Sequence, residues 1–321
     1  MTVYIAPIGQ GLGDLVVSLP AVQALIATKE PTVLVLRSDR HQGFESMIPG
    51  LAGAVQEVDF NELAMPAGSR YINLRAHSLQ TDHLWGSPEF ESKYPGWRIM
   101  DIMAAICKDF GIKVDFNKLK PLPFKVRAAA QNKVLFIPGS QGLYKCWAKE
   151  RWLELSELLK VAGETVGVVG QPDVSEQTRE LLDGGLEWIP TSTLLDALEV
   201  ISSAKAIVSV DTGLMHLALH QGIPASVIWI DNPSTICFFR RAENCFSAMS
   251  PRCAPECIEQ ELGIPSNLTL AWSDPITGPS RICLAPEAEK CVSNISVDAV
   301  FSMLNLALDL SKRRKMAVKN Q

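Results

Sequence analysis

Long apolar runs are missing from this chain, and no stretch approaches the roughly 20 consecutive apolar residues that a membrane-spanning helix needs. The first apolar stretch, Val3 to Ile8, has no basic segment before it and is broken by Gly9 to Asp14, so no secretory signal is expected there. Positive charge is not in excess either. Thirty Lys and Arg face 35 Asp and Glu, a net charge of −5 that gives no general attraction to nucleic acid or to an anionic surface. Nucleic acid is therefore excluded as a partner. Short-period repeats and low-complexity segments are absent, as are the Cys-x-x-Cys of zinc ribbons and the His-Glu-x-x-His of zinc proteases. Together these absences describe a cytoplasmic globular protein whose eight cysteines are thiols or metal ligands, not a disulfide framework.

What is present is ordered. With 47% apolar and 20% charged residues, the 321-residue chain has the composition and length of two ordinary domains. Apolar, β-branched runs recur at Val3–Ile8, Thr32–Leu36, Tyr71–Leu74, Val134–Ile137, Thr165–Val169, Ala206–Val210 and Ala225–Ile230. Helical patterns fall between most of them, at Asp14–Thr28, Arg98–Phe110, Lys149–Val161, Ser175–Leu182, Thr193–Ser202 and Gly213–His220, with Asp14 and Thr193 placed as caps or first-turn residues. Such alternation predicts α/β architecture with parallel sheets covered on both faces. Between Val114 and Asn132 the pattern lapses into "DFNKLKPLPFKVRAAAQN", which marks a boundary between domains 1–125 and 126–321. Each half opens with a strand, a glycine-containing loop and a helix, the construction of two Rossmann-like domains facing each other across a cleft. A last amphipathic helix is expected from Val297 to about Leu310, followed by the basic tail "SKRRKMAVKNQ", either a solvated terminus or a peripheral membrane contact.

Three stretches carry chemistry. In "GQGLGDLVVSLP" the glycines fall at Gly9, Gly11 and Gly13, which is not the Gly-x-Gly-x-x-Gly of a dinucleotide site. Asp14 follows at once, favoured by the helix dipole but repelling any pyrophosphate that sought the same amides. Two readings stay open: a general base held at a cleft, or a simple helix-start residue. "IPGSQGLYKCW" combines Ser140, Gln141, two glycines and Lys145, the free amides and mobile ammonium that suit a diphosphate, or else an exposed surface loop. "VSVDTGLMHLALHQG" reads as strand, sharp turn and helix. The amides of Thr212, Gly213 and Leu214 then point from a helix N-terminus at the carboxyl end of a parallel strand, an anion site beside Asp211. The "DTG" does not make an aspartic protease, since those are all-β. His216, one turn in, is in reach of such an anion; His220 reads as core or surface.

Taken together, "GLGDLVVSLPAVQAL", "PGSQGLYKCWAKERWLEL" and "SAKAIVSVDTGLMHLALHQGIP" resemble glycosyltransferase family 9, the heptosyltransferases that build the lipopolysaccharide core from ADP-heptose. The resemblance implies a GT-B fold, with an acceptor-binding first domain and a nucleotide-sugar-binding second. It implies Asp14 as catalytic base, Lys145 on the donor diphosphate, and Asp211, Thr212, Gly213 and His216 in the donor-binding turn, with Ser140, Gln141 and Leu214 beside it. Gly11 and Gly13 let the backbone pass close to the cleft. Arg75 and His77 open the polar, aromatic segment Arg75–Trp97, which is either the acceptor loop or an ordinary long connection. The implied reaction is an inverting transfer from an ADP-sugar to a glycan or lipid-linked acceptor by a monomeric enzyme that needs no cofactor. One departure concerns the donor: Val174 stands after "GQPD" where the family carries an acidic residue, with Asp173 and Glu176 as possible substitutes. Cys253, Cys257, Cys283 and Cys291 are free thiols or a structural metal site, and similar cysteine clusters occur in parts of the family. The rivals are a nucleotide-sugar-binding module without catalysis and an NAD-dependent oxidoreductase, the latter opposed by Asp14.

Overall fold

The computed structural model describes residues 1–37, 41, 43–62, 65–83, 88–97, 99–115, 119–140, 145–229, 244–249, 292 and 295–319. Two parallel sheets form its frame. The first contains β1 (Val3–Ala6), β2 (Thr32–Leu36), β3 (Gly53–Gln56) and β4 (Arg70–Asn73) in the order β3-β2-β1-β4. The second contains β5 (Lys133–Ile137), β6 (Thr165–Val168), β7 (Ala206–Val210), β8 (Ala225–Trp229) and β9 (Cys245–Met249) in the order β6-β5-β7-β8-β9. β7 and β8 are buried at every residue, which is why they read as continuous apolar runs and not as alternating ones. The longer helices are α1 (Leu12–Ala27), α2 (Ile99–Asp109), α3 (Lys149–Val161), α4 (Glu176–Asp183), α5 (Leu194–Ser203), α6 (Gly213–His220) and α7 (Val297–Lys319).

Three expectations need correction. β3 and β9 were not anticipated: β3 reads "GAVQ", with a glycine and no fully buried residue, and β9 carries Ser247 and Ala248 at the sheet edge, so neither shows an apolar run. α1 begins at Leu12, two residues before the expected start, and of the two places considered for Asp14 it takes the first-turn one and not the cap. α7 runs past Leu310 to Lys319 because no glycine or proline stops it and its lysines and arginines propagate a helix well. Val300, Leu304, Ala307 and Leu308 form its buried stripe over the second sheet. Burial of each of the larger ones contributes about 1.5–3 kcal/mol.

α1 and α6 hold the halves together. Apolar residues of α1 (Leu15, Val16, Leu19, Val22) and of α6 (Met215, Leu217, Ala218) belong to one buried cluster that reaches both sheets. Ser18 is buried within it. Its hydroxyl receives the Ile8 N–H at 3.1 Å and donates to the Asp14 carbonyl at 2.7 Å, fixing the exit of β1 to the first turn of α1. The connecting segment is pinned from each side: the Gln23 amide bonds the backbone of Lys120, and the Gln221 amide bonds both N–H and C=O of Leu122.

Candidate active site

The glycine loop is shaped by the carboxylate that follows it. A Cβ at Gly9 would lie 2.3 Å from Asp14 Oδ2, and the Gly11 N–H donates to that same oxygen at 2.8 Å. Asp14 is the third residue of α1, so its side chain folds back over the loop and occupies the amide that an anion would otherwise take. The loop thus serves an internal carboxylate and does not match a dinucleotide site.

α6 starts against α1. A Cβ at Gly213 would meet Leu12 Cβ at 2.7 Å and Gly13 N at 3.0 Å, and one at Gly13 would meet His216 Cδ2 at 2.9 Å. Only glycine at both positions allows the two helix N-termini to approach this closely, and the contact brings Asp14 to the same junction as the turn after β7. In that turn Thr212 is the N-cap of α6 and makes no side-chain capping bond, while the first amides of the helix have no carbonyl within the helix to bond. Two positive helix ends therefore converge on one place.

Around the turn, Lys145 Nζ donates to Asp211 Oδ2 at 2.6 Å, and His216 Nε2 stands 3.8 Å from Asp211 Oδ1. The Ser140 hydroxyl donates to the Asp211 carbonyl at 2.9 Å. The structure thus brings Ser140, Lys145, Asp211, Thr212, Gly213, Leu214 and His216 together, with Gly11, Gly13 and Asp14 facing them. Gln141 and the four cysteines Cys253, Cys257, Cys283 and Cys291 lie outside the described residues. Among the described residues no group of three or more His, Cys, Asp or Glu could hold a metal, and Cys107, Cys146 and Cys245 are in no disulfide.

The two aspartates differ in electrostatics. Burial pushes the Asp14 carboxyl above its ordinary value, and the Gly11 N–H, His216, Arg75 and Lys145 only partly counter this. Burial acts on Asp211 in the same sense, but the Lys145 ammonium and His216 overcome it and hold that carboxyl well below the usual carboxylate range. Asp14 is the better proton acceptor; Asp211 is a fixed anion.

Arg75 is buried just beyond β4, its N–H capped by Asn73 Oδ1 at 3.2 Å. His77 is drawn aside: its Nδ1 accepts the Leu79 N–H at 3.1 Å and its Nε2 contacts Asp109 at 3.1 Å. Since Nδ1 accepts, the ring proton sits on Nε2 and points at Asp109. Downstream, His83, Phe90, Tyr94 and Trp97 form a chain of ring contacts with centroids 4.6–6.1 Å apart. Sequence reasoning missed Arg37 and Glu57, which pair at 3.0 Å at the carboxyl ends of β2 and β3. The available signal was an arginine placed directly after an apolar strand. Of the substitutes considered for the acidic residue at Val174, Glu176 pairs with Arg179 at 3.7 Å, and Val174 itself is exposed.

Residues 98–229 match the model of glycosyltransferase family 9 (heptosyltransferase). Lipopolysaccharide heptosyltransferase 1 of Escherichia coli (strain K12) is 34% identical over 104 residues, 28% of this chain and 33% of that protein. The same enzyme of Pseudomonas aeruginosa is 29% identical over 126 residues, 38% of this chain and 35% of that one. The chain thus aligns with about a third of the length of these relatives. The fold likeness is far longer. E. coli heptosyltransferase WaaC with ADP-2-deoxy-2-fluoro heptose superposes with a TM-score of 0.59 at 15% identity, over 95% of this chain and 99% of that one. The iron-containing dodecameric glycosyltransferase TibC from enterotoxigenic E. coli H10407 gives 0.61 at 17% identity, over 96% and 76%. Over residues 98–229 the sequence is similar to glycosyltransferase family 9 (heptosyltransferase), and over nearly its whole length the fold is that of the GT-B heptosyltransferases.

Proposed function

We propose that this chain is an inverting glycosyltransferase that moves a heptose or related sugar from an ADP-sugar to a hydroxyl of a glycan or lipid-linked acceptor. One observation carries the proposal: a carboxylate with raised proton affinity, Asp14, faces a turn that gathers Lys145, His216 and the amide end of α6. Residues 1–125 hold the acceptor, with Gly11, Gly13, Arg75 and His77 on its side of the cleft, and residues 126–321 hold the donor.

In the proposed reaction the acceptor hydroxyl oxygen attacks the anomeric carbon while Asp14 takes the hydroxyl proton. The bond from that carbon to the diphosphate oxygen breaks, and its electron pair leaves with ADP. Negative charge grows on the departing diphosphate, where the Lys145 ammonium and the amides of Thr212 to Leu214 stabilise it. We assign this charge neutralisation to protein groups and not to a metal ion. Asp211 holds Lys145 and His216 in place, and Ser140 holds Asp211. The ADP moiety is assigned from WaaC, whose structure carries an ADP-heptose analogue. The "VVGQPD" turn at the end of β6 then lies beside the nucleoside.

The test is to incubate the protein with a panel of nucleotide sugars and follow nucleotide diphosphate release with and without candidate acceptors. Acceptor-dependent ADP release is the expected result. Donor binding with no release under any acceptor would make this a binding module instead.

A further inference from the structure

A short extended stretch lies beyond β6. The Val168 N–H donates to the Glu187 carbonyl at 2.8 Å and the Ile189 N–H to the Val168 carbonyl at 2.9 Å, a parallel bridge that sets Trp188 beside Val168. Continued, this register sets the residues after Ile189 beside the "GQPD" loop that leaves β6. The Gln171 amide does donate to the Thr191 carbonyl there, at 2.8 Å. Along the carboxyl edge of the second sheet the order is therefore Trp188, β6, β5, β7.

Trp188 is the largest exposed apolar side chain among the described residues. It is 43% exposed, whereas Trp147, Trp152 and Trp229 are 2% or less. Its neighbour Ile189 is buried, 2.7 Å from where a Cβ at Gly167 would stand, and successive side chains of an extended stretch point to opposite faces. The indole is nevertheless held, because its Nε1–H donates to the Gly170 carbonyl at 3.0 Å. That bond satisfies the one polar atom of the ring and fixes its edge at the loop after β6. What stays exposed is π surface. Val174 and Leu195, on the same two connections, are exposed apolar side chains as well.

Parallel strands stand about 4.8 Å apart, so three strand spacings put Trp188 about 14 Å across the carboxyl edge from the turn after β7. That turn gathers Lys145, His216 and the amide end of α6. An extended nucleoside diphosphate whose phosphates lie at the turn brings its base to the far end of that span. We infer that Trp188 is the platform on which the donor's nucleobase stacks, a specificity residue that favours the larger ring of a purine. This rests on residues 126–321 holding a nucleotide donor and goes beyond that reading in naming the side chain that receives the base.

Calorimetric titration of the full chain with ADP, and with inorganic pyrophosphate as a diphosphate that has no base, tests this. Truncating an aromatic platform to alanine weakens a stacked base about 5- to 150-fold, so Trp188→Ala should lose ADP affinity by that factor and keep the parental pyrophosphate affinity. Trp188→Phe, which keeps a ring but lacks the N–H, should stay closer to the parent than Trp188→Ala. Parental ADP affinity in Trp188→Ala overturns the inference. Equal losses for ADP and pyrophosphate overturn it too, as does a loss in Trp188→Phe as large as in Trp188→Ala, which would make the bond to Gly170 the whole role. If Trp188→Ala does not fold, Trp188→Leu, which keeps bulk without a π face, decides in the same way. A parent protein that binds neither ADP nor UDP nor GDP would overturn the donor reading itself, and this inference with it.

Discussion

Replacing Lys145 by Met tests whether the donor turn is an electrostatic assembly. Lys145 Nζ lies 2.6 Å from Asp211 Oδ2, with the two side chains 23% and 13% exposed. Removing one partner of a buried pair costs about 3–5 kcal/mol, because the surviving charge is left uncompensated. Partial exposure of the lysine brings the expected loss toward about 2–3 kcal/mol at neutral pH. His216, 3.8 Å from the other oxygen, replaces only part of the missing charge. The sign of the pH dependence should also invert. In the parent, Asp211 is held below its unfolded value, so its contribution is present above the ordinary carboxylate range and is lost as pH falls through the depressed value. In Lys145→Met, burial dominates and raises the carboxyl, so the variant should be least stable near neutrality and recover part of the deficit on acidification toward pH 4. Lys145→Met with Asp211→Asn removes the orphan charge and should regain most of the loss. Thermal unfolding of the three proteins at pH 7 and pH 5 measures this, with a drop of roughly 4–10 °C expected for the single variant at pH 7. Equal stability of the single and double variants at both pH values would refute the account.

Asp14→Asn should lower transfer by about 10²–10⁴ while calorimetric ADP affinity stays near the parent's, since the amide keeps the shape but takes no proton. Gly9→Ala places a methyl 2.3 Å from Asp14 Oδ2, so it should cut turnover without changing donor affinity; parental turnover would show that the carboxylate has another position to occupy. His220, whose enclosed ring is lowered by burial to about 4, should make the fold lose stability as pH drops from about 6.5 to about 4, by up to about 3 kcal/mol. His220→Gln should flatten that slope in melting curves taken across the range. ADP should bind more tightly than UDP or GDP by about 1–3 kcal/mol in calorimetric titration, because base recognition adds few contacts to a shared diphosphate. NAD should not bind productively, and tight NAD binding would favour the oxidoreductase reading.

The parts of this protein that could be read from sequence are those that one local stretch encodes. The strands Thr32–Leu36 and Ala206–Val210 and the helices Lys149–Val161 and Gly213–His220 lie where their periodicity puts them. Asp14 and Asp211 stood out because each joins a strand to a glycine and a helix start. What could not be read is whatever chain folding assembles. Lys145 and Asp211 are 66 residues apart, and their pairing depends on β5 and β7 being neighbours. Arg37 reaches both Glu57 and Asn73 only because the strand order sets β3, β2, β1 and β4 side by side. The contact of His77 with Asp109 at the end of α2 likewise joins residues 32 apart, and neither stretch announces it. β3 escaped notice because a glycine-led, half-exposed strand at a sheet edge needs no apolar pattern.

The most instructive comparison is between the two aspartates. Each sits beyond the end of a strand with neighbours on both sides, β1 for Asp14 and β7 for Asp211, and each stands at the start of a helix whose N-terminus meets the other across Gly13 and Gly213. Backbone geometry alone would give them similar chemistry. Their surroundings separate them. Asp211 has an ammonium at 2.6 Å and an imidazole behind it, so it remains an anion and spends its charge holding those groups. Asp14 has one backbone N–H at 2.8 Å and more distant cations, so burial prevails and its proton affinity rises. Two carboxylates pushed apart in this way divide the work, one organising positive charge for a leaving group and the other accepting a proton. Disabling each in turn should separate their roles: Asp14→Asn takes away the proton acceptor, and Lys145→Met removes the ammonium and lets burial raise Asp211. The first variant should lose the rate step that needs a base, and the second the binding that needs a cation. The two losses are separable by measuring turnover at saturating donor alongside donor affinity. If both variants lost only affinity, the division of labour between Asp14 and Asp211 would be wrong.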